Sequence, residues 1–135
     1  MRRRDAIKWL AGSSAALALP ALAQTTNRIV LGQSAAFSGP AAQLGIQMNI
    51  GARIYFNALN AQGGVNGQGI ELRTLDDGYE PDRCKANTEK FLNDEVFGLF
   101  GYVGTPTSLA ALPLVVDAKI PFFGPFTGAQ ALREP

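Results

Sequence analysis

Val96-Phe97-Gly98-Leu99-Phe100-Gly101-Tyr102-Val103-Gly104-Thr105-Pro106-Thr107-Ser108 is the stretch whose reading decides the fold. Val96 to Gly101 is apolar at odd and even positions alike. A strand of that kind is covered on both faces, as in the centre of a parallel sheet. Gly104 breaks the run. Thr105 is a good N-cap and Pro106 a good first-turn residue, so a helix follows at once. Leu109, Leu112, Val116 and Ile120 mark its expected buried side, with Pro113 placed to bend it.

The same alternation extends outward in both directions. Ile29-Val30-Leu31-Gly32 reads as a short buried strand that Gln33 to Phe37 carries to a turn at Ser38-Gly39-Pro40. A helix of some twenty residues follows. Leu44, Met48, Ala52, Tyr55 and Leu59 recur at spacings of three and four, and Ile46, Ile50 and Ile54 widen the stripe. Asn60-Ala61-Gln62-Gly63-Gly64 stops it and Asn66-Gly67 makes a tight turn. Ile70 to Leu75 is a second strand leading into Asp76-Asp77-Gly78-Tyr79. Glu80-Pro81-Asp82 opens a second helix, with Cys84, Thr88, Phe91 and Leu92 inward and Asn93-Asp94 at its end. Downstream, Ile120 to Phe123 is a fourth strand, Gly124 to Gly128 a loop, and Ala129 to Glu134 the start of a fourth helix. The order β-α-β-α-β-α-β predicts an α/β fold: a three-layer α/β/α arrangement with a parallel sheet and right-handed crossovers. The fourth strand stands without a complete following helix, so one edge or face of the sheet is expected to be open.

Residues 1–23 read as a signal peptide. Arg2, Arg3 and Arg4 form a basic start, the apolar run Trp9 to Leu19 follows, Pro20 breaks it, and Ala21-Leu22-Ala23 has the small-x-small form of a cleavage site. Arg3-Arg4-Asp5-Ala6-Ile7-Lys8 resembles a twin-arginine motif, with Arg2 where a Ser or Thr usually stands; a general secretory signal is the alternative. The expected compartment is the periplasm. The signal holds four of the 12 basic and one of the 11 acidic side chains, which leaves eight basic and ten acidic, a net charge of about −2. There is no basic patch, so no nucleic-acid partner is expected. Cys84 is the single cysteine and cannot form a disulfide within the chain. The chain has no histidine to serve as base for a catalytic thiol.

Ligand sites in open parallel sheets lie at the carboxyl ends of the strands. Four loops meet that rule. The third, Tyr102 to Thr107, is the richest. Gly104 allows close backbone approach, and Thr105, Thr107 and Ser108 bring hydroxyls beside a helix start suited to a carboxylate. Capping by Thr105 is the plain structural alternative. The fourth loop adds Thr127. Phe126 is either a pocket wall or core, Tyr102 either lines the pocket or packs beneath the loop, and Ser38 is either turn or pocket rim. Asp76 and Asp77 read as structural or solvated groups: no histidine or third acidic residue is spaced to make them a metal pair. The segment after the first strand lacks a dinucleotide-binding glycine pattern, and there is no Walker lysine, so no cofactor is expected. Binding is therefore the better hypothesis than catalysis, and no catalytic or metal-ligating residue is assigned.

In order and spacing, the strand with Phe37-Ser38-Gly39-Pro40, the helix through Gly51-Ala52-Arg53 to Asn60-Ala61-Gln62-Gly63-Gly64-Val65-Asn66-Gly67, the stretch Asp76-Asp77-Gly78-Tyr79-Glu80-Pro81, and the segments Gly101–Ser108 and Ile120–Gly128 resemble the amino-terminal part of a periplasmic substrate-binding protein of the branched-chain amino acid ABC transporter class, with the type I periplasmic-binding fold. The resemblance implies that residues 24–135 are an incomplete first lobe of a two-lobe protein. It implies an interlobe cleft for a branched-chain amino acid or a related small amino acid, carboxylate or amide, and permease membrane subunits as partners. Loops matching Gly104-Thr105 and Phe126 to Gly128 hold the carboxylate and ammonium in the family. Here the family's serine is matched near Thr105 and followed by Pro106, which has no amide to donate. Its threonine is matched by Gly128, or by Thr127 if the register slips by one. Those departures admit other small carboxylates, amides or aromatic acids. A cysteine that the resemblance matches with Cys84 pairs in some members with one after the third strand; Gly104 occupies that region, so the bridge is absent. A lone lobe offers half a cleft, so residues 1–135 alone are expected to bind weakly or not at all. A non-functional truncated remnant, or a secreted α/β enzyme, is the alternative.

Overall fold

The computed structural model describes residues 28–133; the expected signal peptide lies outside them. The elements are β1 (Ile29–Ala35), α1 (Ala42–Ala61), β2 (Ile70–Asp76), α2 (Pro81–Asn93), β3 (Gly98–Phe100), α3 (Thr105–Ala118) and β4 (Phe122–Phe123), followed by a 3-10 turn at Gln130–Leu132. The strands form one parallel sheet in the order β2-β1-β3-β4. Both faces are covered, which gives the expected three-layer α/β/α fold.

Strand periodicity of two sorts the apolar side chains between the two faces. Leu31, Ile29, Ile70, Leu72 and Phe100 pack with Ala52 and Phe56 of α1. Val30, Leu75, Leu99 and Phe122 pack with Cys84 and Phe91 of α2 and Ala111 and Val115 of α3. Adjacent residues of one strand thus feed opposite layers. A run apolar at every position is what such a sheet requires.

α2 buries Cys84, Thr88 and Phe91 as expected, but apart from Ala52 the faces that α1 and α3 bury differ from those the apolar spacing predicts. In α1, Gly45 and Ala52 are the buried residues, while Leu44, Ile50, Ile54 and Tyr55 are exposed. In α3, Thr107, Ser108, Ala111 and Val115 are buried; Leu109 and Val116 are exposed, and Leu112 and Ile120 are partly buried. The cause is the same in both. Each helix carries apolar residues on nearly every side, so periodicity does not select a face. Close approach does, and it brings small residues inward. α3 runs unbroken through Pro113.

Three boundaries also differ. β3 begins at Gly98, one residue after the Phe97 amide first donates to Val30 of β1 (2.8 Å), because Glu95 turns with φ of 52° and Val96 still bonds back to Phe91. β4 is two residues long, shorter than the expected Ile120–Phe123. The expected fourth helix is a single 3-10 turn over Gln130–Leu132.

Two polar devices fix the layers. The Asn60 side chain at the end of α1 both donates to the Ile70 carbonyl (2.8 Å) and accepts from the Ile70 amide (2.7 Å). The fully buried Gln33 donates to the Gly101 carbonyl (3.0 Å) and accepts from Asn49 (2.7 Å), and Asn49 in turn accepts from Arg53 (2.8 Å). A buried amide so satisfied is stabilising in place and costly to orphan.

Gly32 is where α2 meets the sheet. A Cβ there would stand 2.7 Å from the ring of Phe91. Gly32→Ala is expected to lower the unfolding free energy by about 1–3 kcal/mol, the usual cost of overpacking. Urea denaturation reads it directly, and adding Phe91→Leu should recover part of the loss. An unchanged midpoint for the single variant would mean that the ring does not lie there.

Candidate functional site

The carboxyl ends of the four strands carry four loops, and the loops touch in sequence. The first join is Asp76. Its Oδ1 accepts from the amides of Phe37 (2.7 Å), Ser38 (3.1 Å) and Gly78 (3.0 Å), and its Oδ2 accepts from the Ser38 hydroxyl (2.6 Å) and from Arg83 (3.0 Å). Burial alone would raise this carboxyl, but the Ser38 hydroxyl, the two closest amides and Arg83 outweigh it and hold the group well below the ordinary carboxylate range. Ser38 is thus exposed at the surface with its hydroxyl engaged by Asp76.

Its neighbour behaves in the opposite way. Asp77 is fully buried and accepts from the Ser34 hydroxyl (2.7 Å) and the Tyr79 amide (2.8 Å). Burial raises it more than those bonds lower it. Both acidic residues shape the turn, as their structural reading predicts. Among the described residues no cluster of three or more His, Cys, Asp or Glu is placed to hold a metal ion.

The second join is between Tyr79 and Gly104, and sequence reasoning missed it. Tyr79 has φ of 69°, a left-handed conformation uncommon for a bulky residue. It follows Gly78 at 58°. Together they throw the tyrosine ring across to the start of α3, where Gly104 has φ of 104°. The residue facing Gly104 is Tyr79 and not Cys84. Cys84 is a free thiol sealed in the core, and burial pushes it up to about 12.

The third join is between the loops after β3 and β4. The Gly104 amide donates to the Phe126 carbonyl (3.1 Å), and the Phe126 amide to the Tyr102 carbonyl (2.7 Å). The Thr105 and Thr127 hydroxyls lie 2.5 Å apart. Thr127 also accepts from the Ala129 amide (3.1 Å). Two hydroxyls carry two protons, and the pair uses one between them. The other remains to donate elsewhere.

The predicted site residues therefore divide. Gly104, Thr105, Phe126 and Thr127 form one corner, with Phe126 exposed and Gly128 next along the chain. Tyr102 packs beneath the loop: it is fully buried, its hydroxyl is 2.9 Å from that of Thr88, and burial raises it strongly. Thr107 is buried too and shares its hydroxyl proton between the carbonyls of Val103 (2.6 Å) and Gly104 (3.1 Å). Gly104, not Thr105, is the N-cap of α3; Thr105 is the first helical residue and makes no side-chain cap. Proline follows it, so in that first turn Pro106 has no amide to offer while those of Thr105 and Thr107 stand at the helix start. Ser108 Oγ is buried without a hydrogen-bond partner among the described residues. A separate concavity, lined by Arg28, Asn60, Gly63, Gly67, Gly69 and Ile70, sits at the other end of the strands and holds none of the predicted residues. No helix among the described residues is long and apolar enough to cross a membrane.

The two acidic residues give the site opposite pH responses. Because the folded Asp76 is depressed, its stabilisation is full above the ordinary carboxylate value of about 4 and is lost as the pH falls below it. Because the folded Asp77 is raised, its contribution falls as the pH rises from that value. Asp76→Asn should therefore lose about 1–3 kcal/mol at neutral pH and much of its acid sensitivity. Asp77→Asn should keep the acid sensitivity. Urea midpoints between pH 3 and 7 separate the two; matching profiles would overturn the assignment.

A family model described as periplasmic binding protein matches residues 28–135. The chain is similar to the Leu/Ile/Val-binding protein of Escherichia coli (strain K12), with 32% identity over 112 residues, covering 83% of this chain and 30% of that protein. The fold is similar to the crystal structure of a possible leucine/isoleucine/valine-binding protein from Rhodopirellula baltica SH 1, with a TM-score of 0.77 and 43% identity over 80% of this chain and 30% of that one. It is also similar to a substrate-binding periplasmic protein from Ralstonia solanacearum, with a TM-score of 0.75 and 34% identity over 79% and 31%. The chain thus spans under a third of the length of these relatives. With the parallel sheet and the linked strand-end loops, these matches mean that the chain belongs to the periplasmic binding protein family.

Proposed function

We propose that this chain is part of an extracytoplasmic solute-binding component of an ABC importer. Its ligand is a branched-chain amino acid or a related small amino acid, carboxylate or amide. The observation that carries the reading is the Gly104–Thr105–Phe126–Thr127 corner, where a free hydroxyl proton and first-turn amides meet at the carboxyl end of the sheet. Such donors suit the carboxylate of a small ligand. Phe126, exposed beside them, is an apolar surface for the ligand's side chain. The Escherichia coli and Rhodopirellula baltica relatives, both named for binding leucine, isoleucine and valine, support the ligand class.

The same reading assigns export to the periplasm through residues 1–23 and permease membrane subunits as partners. No catalytic role is proposed. The described loops hold no histidine, and the buried thiol is held protonated. A secreted enzyme would need a nucleophile and base side by side.

One wall of a cleft gives little burial, and closure against an opposite lobe supplies most of the affinity in such sites. Calorimetric titration with L-leucine, L-valine and a panel of small acids tests this. Residues 1–135 alone should bind no more tightly than millimolar. The full-length polypeptide carrying an opposite lobe should bind one of these in the micromolar range, and Thr105→Val should weaken it about tenfold by removing a charge-assisted hydrogen bond. Micromolar binding by residues 1–135 would overturn the half-cleft reading. Failure of every probe on the full-length polypeptide would overturn the ligand class.

A further inference from the structure

Tyr79 and Gly104 fit one another closely. A Cβ on residue 104 would stand 2.5 Å from Tyr79 Cε2, 2.7 Å from Cζ and 2.9 Å from Oη. The hydroxyl end of the ring therefore occupies the space of a side chain at position 104. Gly104 immediately precedes Thr105, whose hydroxyl meets Thr127.

The ring is held there at a conformational cost. Tyr79 is left-handed, and residues held in sparsely populated conformations persist only where their surroundings over-determine them. Here Asp77 does so twice: its carboxylate accepts the Tyr79 amide (2.8 Å) and its carbonyl accepts the Glu80 amide (2.9 Å). Asp76 fixes the preceding Gly78 amide (3.0 Å). Tyr79 itself is only half-buried, so it is not enclosed in the core.

We propose that Tyr79 is a specificity-determining wall of the ligand site, setting the size of the group that can rest beside the Gly104–Thr105 corner. This rests on the small-ligand reading above and adds the residue that limits ligand bulk. With the ring in place the corner admits a compact substituent. Without it, the volume of a phenol opens next to the hydroxyl pair.

The test uses the full-length polypeptide and four probes: L-alanine, L-leucine, L-phenylalanine and benzoate. Tyr79→Ala should shift the affinity ratio of L-phenylalanine to L-alanine toward the larger ligand by about tenfold, the scale on which pockets discriminate by volume. Tyr79→Phe, which keeps most of the ring, should leave that ratio near wild type. A second measurement addresses the contact itself. Gly104→Ala should lower the urea midpoint more in the wild-type background than in Tyr79→Ala, and the backbone strain at position 104 cancels because it is common to both. If Tyr79→Ala lowers the midpoint but leaves the ratio within twofold, the ring only braces the loops and the proposal is overturned. Additive midpoints would overturn the contact. If wild type binds none of the probes, the ligand class proposed above fails and the wall fails with it; binding with an unchanged ratio overturns the wall alone.

Discussion

Everything at the carboxyl end of this sheet depends on one carboxylate. Asp76 ends β2 and gathers amides from Phe37 and Ser38, which leave β1, and from Gly78 in its own loop. Three backbone donors that the sheet cannot use are satisfied by a single side chain. That allows two neighbouring strands to end together and their loops to turn away without stranding polar groups. The exposed Arg83 pair adds little beside it, since surface ion pairs contribute at most about 1 kcal/mol. The amides are the stronger constraint, because they fix backbone geometry as well as charge.

From that point the geometry propagates along the loops. Fixing Gly78 and Tyr79 in left-handed conformations aims the tyrosine at α3, and the absence of a side chain at Gly104 lets it arrive. Gly104 then donates to Phe126, and Thr105 meets Thr127. Below this surface, Gln33 holds the Gly101 carbonyl from within the sheet. The end of β3 is thus tied from beneath by β1 and from the side by β4.

The sequence was legible where physical signals were unambiguous. Apolar runs bounded by glycine and proline located the four strands, and Pro81 and Pro106 marked two helix starts. The face of α2 was legible too, since Cys84, Thr88 and Phe91 are the buried residues. Those of α1 and α3 were legible only at Ala52: both helices carry apolar residues on several sides, and Gly45, Ser108 and Ala111 turn inward by close backbone approach, which apolar spacing does not encode. The loop cluster was legible from the rule for parallel sheets, but individual roles inside it were not. Thr105 and Thr107 are alike in sequence terms, yet one hydroxyl faces its counterpart across the loops and the other is spent on its own helix. Tyr79 escaped because its placement depends on two consecutive positive φ angles. The one available hint was Gly104, whose missing side chain implied that something else filled the space.

Pro106 sharpens what the corner can offer. A helix start normally presents its first amides as a set, and a proline at the second position removes one of them. Thr105 and Thr127 sit beside that gap, and their pairing leaves one hydroxyl proton over. The corner therefore keeps a donor where the backbone has lost one, but of a different kind. An amide points along the helix axis and cannot turn, whereas a hydroxyl rotates about its C–O bond and can also accept. A site built this way is less restricted to an anion than a full ring of amides would be. Carboxylates and neutral amides both have an oxygen for the free proton, and an amide's N–H can donate to a hydroxyl lone pair. Under the proposed function, the range of small carboxylates and amides follows from that exchange of a fixed donor for a rotating one.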